Sequence, residues 1–213
     1  MSDKSIRIDE IAIIGGGQVG RGIAWLAASK GIKVTVIEKD AAASTRAKEQ
    51  LEREMDAEIA RWGLTGGEKR ATLARIGFIT RPSSLGPVLV VIEAVPENAE
   101  IKREVYERLA PIITPDTVIA SSTGAIPVDE LAAVSGVPDR FVGLRFNLPL
   151  LKRGILEITP SRRTTETSLK KIQILIKRLG KQMIVVKGPT GAISVRCILP
   201  MLHAAITLLA EKT

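Results

Sequence analysis

The run IAIIGGGQVGRGIAWLAASKGIKVTVIE, residues 11–38, decides the fold. IAII (11–14) is a continuous apolar stretch, the pattern of a strand buried on both faces of a parallel sheet. Gly15, Gly17 and Gly20 follow in G-x-G-x-x-G spacing. VGRGIAWLAASK (19–30) then has helical periodicity, with Gly31 as its stop. KVTVIE (33–38) is a second strand, and Glu38 sits at its tip. Strand, glycine turn, helix and strand make one β-α-β unit, the context in which this spacing signals a dinucleotide-binding turn.

Each residue of the turn has a physical task. Gly15 permits the tight turn, Gly17 lets a pyrophosphate approach the backbone, and Gly20 lets helix and strand pack closely. Gln18 and Val19 open the helix, where free N–H groups and the positive end of the helix dipole favour phosphate. Glu38 is placed to accept hydrogen bonds from ribose hydroxyls. A 2′-phosphate there would meet a carboxylate, so the expected cofactor is NAD rather than NADP.

Outward from this unit the alternation continues. Residues 41–73 read as helix, turn, helix, broken at GLTGGE (63–68). RAKEQLEREMDAEIARW (46–62) mixes charges at i,i+4 spacing with a narrow apolar stripe, the pattern of a supporting helix with a solvated face. IGFIT (76–80), VLVVIEAV (88–95), TVIAS (117–121), RFVGLRF (140–146), ILEIT (155–159) and QMIVVK (182–187) read as strands. AEIKREVYERLAPII (99–113) and TSLKKIQILIKRLG (167–180) read as helices, the second closed by Gly180. Repeated β-α alternation predicts an α/β fold, a Rossmann-type doubly wound, mostly parallel sheet with a helix-pair insertion. The tail AISVRCILPMLHAAITLLAEKT (192–213) reads as an apolar C-terminal helix that needs a surface to pack against.

Composition narrows the function. A chain of 213 residues can bury a sizeable core. Aromatic residues are only 3%, so small aliphatic side chains must fill it. The net charge of +8 suits either a basic surface or an anionic, phosphate-bearing ligand. No basic patch is interleaved with aromatics and no helix-turn-helix pattern stands out, so nucleic acid is not the expected partner. Cys197 is the single cysteine, which excludes an intramolecular disulfide, and no metal-ligand spacing occurs. The N-terminus lacks an apolar signal core, and no uninterrupted run of about 20 apolar residues predicts a membrane span. The cytoplasm is the expected compartment.

Five stretches together resemble the 3-hydroxyacyl-CoA dehydrogenases, in order: IAIIGGGQVGRGIAWLAASKG, VIEAVPENAEIKREVYERL, VIASSTGAIPVDELA, FVGLRFN and LGKQMIVVKGPTG. The resemblance runs from about residue 11 to residue 210. It implies that Glu97 and Lys102 contact the cofactor near its nicotinamide ribose. It places Ser122 where the family has a cofactor-contacting asparagine, in an S-N-T-S motif that here reads S-S-T-G. It also implies an NAD-binding domain over 1–189 and, over 190–213, the first helix of a C-terminal domain that is otherwise absent. The helix pair at 41–73 resembles an insertion that helps hold CoA. The 192–210 helix is then expected to pair with a second copy, giving a homo-oligomer, or with a partner subunit.

The same resemblance sharpens FVGLRFNLPLLKRGILEI, residues 141–158. The family moves a hydride between the C3 carbinol of an acyl-CoA and NAD, with a histidine taking the hydroxyl proton and a glutamate orienting it. Glu157 matches the glutamate. Arg145 stands at the histidine, Gly124 at a pocket serine and Val195 at a pocket asparagine. A guanidinium stays protonated and has no acceptor lone pair, so it cannot be the base. Arg145 beside Glu157 most simply makes an ion pair. Arg145 could alternatively stabilise a developing alkoxide or clamp a substrate carboxylate, with Glu157 as the base. The lone histidine, His203, lies in the apolar tail helix and matches no catalytic position. Two functions follow: an NAD-dependent oxidoreductase acting on a hydroxyacyl-CoA or hydroxy acid, and a catalytically impaired NAD(H)-binding protein that serves as sensor or partner subunit.

Overall fold

The computed structural model describes residues 6–61, 63–187 and 193–211. Its strands, in chain order, are β1 (Glu10–Ile14), β2 (Lys33–Ile37), β3 (Ile76–Ile79), β4 (Val90–Glu93), β5 (Val118–Ser121), β6 (Phe141–Phe146), β7 (Ile155–Pro160) and β8 (Gln182–Val185). They form one sheet of 8 strands in the order β3-β2-β1-β4-β5-β6-β7-β8. Every neighbouring pair is parallel except β6 and β7, which run antiparallel. β1 lies between β2 and β4, so the winding reverses there, and a crevice opens beyond the strands' carboxyl ends.

The helices are α1 (Gln18–Ser29), α2 (Ala41–Ala60), α3 (Gly66–Leu73), α4 (Ala99–Leu109), α5 (Val128–Val134), α6 (Glu166–Arg178) and α7 (Ile193–Ala210). Alternation along β1 shows how both faces are covered. Ile11 and Ile13 join a core with Ile23 and Leu26 of α1 and Ile172 and Leu175 of α6. Ala12 and Ile14 point the other way, into a cluster with Leu109 of α4. Tyr106 of α4, Leu131 of α5 and Phe141 of β6 close the same side further along. The sheet is therefore doubly wound, mostly parallel and packed with aliphatic side chains, as the sequence pattern predicts.

The first helix of the pair is the expected support, with a narrow buried stripe and a solvated face. Ala43, Ala47, Leu51 and Met55 form an i,i+4 stripe buried along α2, and Leu51 and Met55 pack on Trp25 of α1. Two boundaries differ from expectation for a physical reason. Gly66 and Gly67, expected in the break, are the first turn of α3, because Thr65 and Glu68 form a capping box. The helix expected over 99–113 stops at Leu109, ahead of Pro111. On α7, Leu199, Met201, Leu202, Ile206 and Leu209 are exposed. Among the described residues no helix is long and apolar enough to cross a membrane.

Candidate active site

The glycine turn is built by close approaches that only glycine allows. Gly15 has φ +93° and donates its N–H to Ile37 O at 2.9 Å. A Cβ on Gly15 would lie 2.9 Å from Ala94 O. At Gly20 a Cβ would run into the carbonyl of Gly15, with the Gly15 carbonyl carbon at 3.0 Å. Gly17, the residue before α1, has nothing within 4 Å of its Cβ position, so its backbone faces open space. Gln18 is exposed and Val19 half-buried beside it.

Two groups unread in the sequence hold this turn. Gly16 donates its N–H to Glu38 Oε1 at 2.5 Å, and a Cβ there would lie 2.7 Å from Ala47 Cβ and 2.8 Å from Glu38 Oε1. Arg21, buried on α1, donates to Gly16 O at 3.0 Å and to Glu54 Oε1 at 2.6 Å, tying the turn to α2. Glu38 is thus both a prop of the turn and a lining residue of the cleft beside it. That cleft holds about 620 Å³ and is bounded by Gly15, Gly17, Glu38, Val95, Pro96 and Ile101. Open backbone at Gly17, unused acceptor positions on Glu38 and an apolar-walled cleft beside both fit a bound dinucleotide.

Beneath the cleft lies a buried charge network. Glu93, at the end of β4 and 0% exposed, accepts from Lys102 Nζ at 2.7 Å, Tyr106 Oη at 2.9 Å, Ser121 Oγ at 2.6 Å and Val95 N at 2.9 Å. Burial and the Glu93 charge together push the Tyr106 hydroxyl pKa up. Lys102 is also 0% exposed and lies 3.4 Å from Glu97 Oε2. It therefore sits under the site and bears on it through Glu97, not at its surface.

Glu97 has a distinct job. Its Oε1 accepts from Thr123 Oγ1 at 2.6 Å and from the N–H groups of Gly124, Ala125 and Ile126 at 2.9, 2.8 and 3.1 Å. Burial alone would raise its pKa, but these four donors outweigh it and hold the carboxyl at about 2. The 123–126 loop is thereby fixed next to Ser122, whose N–H donates to Glu93 O at 2.8 Å.

Ser122 lines a second cleft, of about 880 Å³, with Val19, Arg145, Asn147, Glu157 and Ile193. Val19, which lines this cleft, and Gly17, which lines the first, are two residues apart at the start of α1. Arg145 and Glu157 are directly opposed in the β6–β7 register. The expected ion pair between them is not made. Glu157 Oε2 accepts from Ile193 N at 2.7 Å, and Oε1 accepts from Asn147 Nδ2 at 3.3 Å. The Arg145 guanidinium turns instead to the space over Gly124, where an added Cβ would lie 2.9 Å from Arg145 Cζ and nearer still to Nη1. Arg145 Nε is buried without a hydrogen-bond partner, and among the described residues Arg145 enters no ion pair. The Val195 side chain lies outside the described residues. His203 is exposed on α7 and lines neither cleft.

The family model described as "3-hydroxyacyl-CoA dehydrogenase, NAD binding domain" matches residues 10–188. A probable 3-hydroxybutyryl-CoA dehydrogenase of Deinococcus radiodurans is 30% identical over 202 residues, covering 95% of this chain and 72% of that protein. The crystal structure of an (S)-3-hydroxybutyryl-CoA dehydrogenase from Ralstonia eutropha superposes with a TM-score of 0.90 at 32% identity, over 97% of this chain and 73% of that one. A 5-formyl-3-hydroxy-2-methylpyridine 4-carboxylic acid 5-dehydrogenase superposes with a TM-score of 0.83 at 29% identity, over 96% and 66%. With the glycine turn, the switch-point clefts and these matches in agreement, the cofactor is NAD and the chain belongs to the 3-hydroxyacyl-CoA dehydrogenase family.

Proposed function

We propose that the chain is an NAD-dependent oxidoreductase that interconverts a hydroxyl and a carbonyl at C3 of a hydroxyacyl-CoA or hydroxy-acid substrate, with Arg145 in place of the family's histidine. The observation that carries this is the flanking of the start of α1 by two clefts, one lined by Gly15, Gly17 and Glu38 and the other by Val19, Arg145 and Glu157. The turn that Gly15 and Gly20 shape presents Gly17, Gln18 and Val19 to the pyrophosphate, and Glu38 receives the adenosine ribose. Ser122, on the segment that Glu93 and Glu97 hold in place, borders the nicotinamide end. NAD, when bound, supplies the hydride acceptor. The chain must then supply the proton acceptor. Among the described residues Glu157 is the single carboxylate lining the substrate cleft, and it is positioned by Asn147 and the Ile193 N–H, so it is assigned as the base. Arg145 is assigned to the negative charge that substrate or transition state brings.

The domain assignment goes with this reading: residues 1–189 as the NAD-binding domain and 190–213 as the first helix of a second domain. The exposed apolar side chains of α7 support a second copy or a partner subunit as its cover. The cytoplasm is the assigned compartment.

One observation favours the impaired reading, in which NAD(H) binds without efficient turnover. The Arg145 guanidinium, which cannot accept a proton, lies over Gly124, which contributes no side chain beside it. Calorimetric titration of NAD, run beside assays of NADH formation from 3-hydroxybutyryl-CoA and 3-hydroxybutyrate, separates the two. Binding with turnover is the expected result. Binding without turnover of either substrate selects the impaired protein, and absence of NAD binding refutes both.

A further inference from the structure

We infer that Arg145 is the anchor for a free carboxylate, so that the substrate is a 3-hydroxy or 3-oxo acid rather than a thioester. This deepens the oxidoreductase reading by naming the substrate's anionic group. The guanidinium lines the second cleft with its Nε enclosed and, among the described residues, without an ion pair or hydrogen bond. Arg145 is half-buried, with only Nε enclosed, so the rest of the fork is presented to the cleft with no partner among the described residues. A carboxylate is the ligand that satisfies it, because two oxygens match the planar fork in a bidentate pair.

Three further features point the same way. Gly124 supplies the room that the guanidinium occupies, so the glycine and the arginine act as one unit. Lys152 and Arg153 line the same cleft, giving it, among the described residues, three cations against the one carboxylate of Glu157. That carboxylate is already committed to the Ile193 N–H and Asn147, while Lys152 reaches Glu58 only at 4.0 Å. Finally, Arg145 and Glu157 oppose each other across β6 and β7. A carboxylate held on Arg145 directs the carbon chain, and the hydroxyl it bears, toward the group assigned as base. A thioester brings no negative charge to that point.

The test is calorimetric titration of acetoacetate, its methyl ester and acetoacetyl-CoA into the full chain, with and without NADH. Acetoacetate is expected to bind roughly 10- to 100-fold more tightly than the methyl ester, the range for charge-assisted hydrogen bonds. Arg145→Gln should erase that ratio, and Arg145→Lys should keep part of it. Gly124→Ser should narrow the ratio by displacing the guanidinium, which reaches the same conclusion without removing the arginine. Thermal melts and NADH titration of each variant establish that it is folded. Tighter binding of acetoacetyl-CoA than of acetoacetate, or an unchanged ratio in folded Arg145→Gln, overturns the inference. If NADH binds while no carboxylate preference exists, the carboxylate anchor fails alone. If the preference exists while NADH does not bind, the anchor stands and the oxidoreductase reading fails.

Discussion

Gly17→Ala and Gly20→Ala should fail in opposite ways, although both glycines belong to one motif. At Gly20 the new methyl group would press on the backbone carbonyl of Gly15, a residue whose N–H is tied to Ile37 O of β2 and whose main chain cannot move as a side chain can. Overpacking of this kind costs about 1–3 kcal/mol, and a backbone obstacle belongs at the upper end. Gly20 lies inside α1, so alanine returns about 1 kcal/mol of helix propensity. The net loss is about 2 kcal/mol. For a chain of this size that lowers Tm by about 4–8 °C. At Gly17 the methyl group meets no atom within 4 Å, and φ of −63° is open to any residue. Stability should therefore change by about 1 kcal/mol or less, the scale of a residue exchange at a helix cap. The methyl does enter the space where the pyrophosphate must approach, and NAD affinity should fall by at least about 10-fold. Urea melts and calorimetric NAD titration read both quantities in both variants. A Gly20→Ala protein as stable as the parent, or a Gly17→Ala protein that binds NAD as the parent does, would refute this account of the turn.

Three other outcomes are expected. Lys102→Met leaves the Glu93 carboxylate buried without its cation and should cost about 3–5 kcal/mol in urea unfolding, with Glu93→Gln added in the same chain recovering part of it; a loss under about 1 kcal/mol would show that the pair is not the keystone described. Glu97 titrates near 2 when folded and near 4.5 when free, so its contribution is complete above pH 4.5 and fades as pH falls toward 2. The stability gap between the parent and Glu97→Gln should close over that window, and a gap independent of pH would count against the four-donor cradle. Glu157→Gln should lower turnover by about 10²- to 10⁴-fold while leaving NAD affinity unchanged; unaltered turnover would remove Glu157 as the base.

Much of the fold was legible because a parallel sheet buried on both faces leaves a plain trace. IAII is a continuous apolar run, KVTVI and VIAS are mostly apolar and rich in β-branched residues, and glycines at 31 and 180 end helices with φ of +78° and +70°. The cofactor turn was legible for the same reason: its glycines have fixed spacing and a fixed place between strand and helix. α5 leaves no such trace, because its 7 residues are too few to show a period. Glu93 was hidden inside a hydrophobic run, where a buried carboxylate looks like a strand's polar end. Its partners come from positions 95, 102, 106 and 121, a convergence that no local pattern announces. The Arg145–Glu157 register was inferable, yet the pairing was not. Where a long side chain turns depends on free volume elsewhere, and here the volume lies over a glycine 21 positions earlier in the chain.

Glu97 grips the 123–126 loop chiefly through main-chain N–H groups, with Thr123 Oγ1 the one side-chain donor. The contour of that loop is accordingly indifferent to which side chain position 124 or 125 carries. A lineage can exchange the residue facing the substrate there without dismantling the wall that presents it. Position 124 then behaves as an interchangeable fitting on a fixed mount, and a change at 145 needs only one matching change at 124 to be accommodated. Such a two-residue step is short enough for substrate preference to drift while the cofactor half of the protein stays as it was.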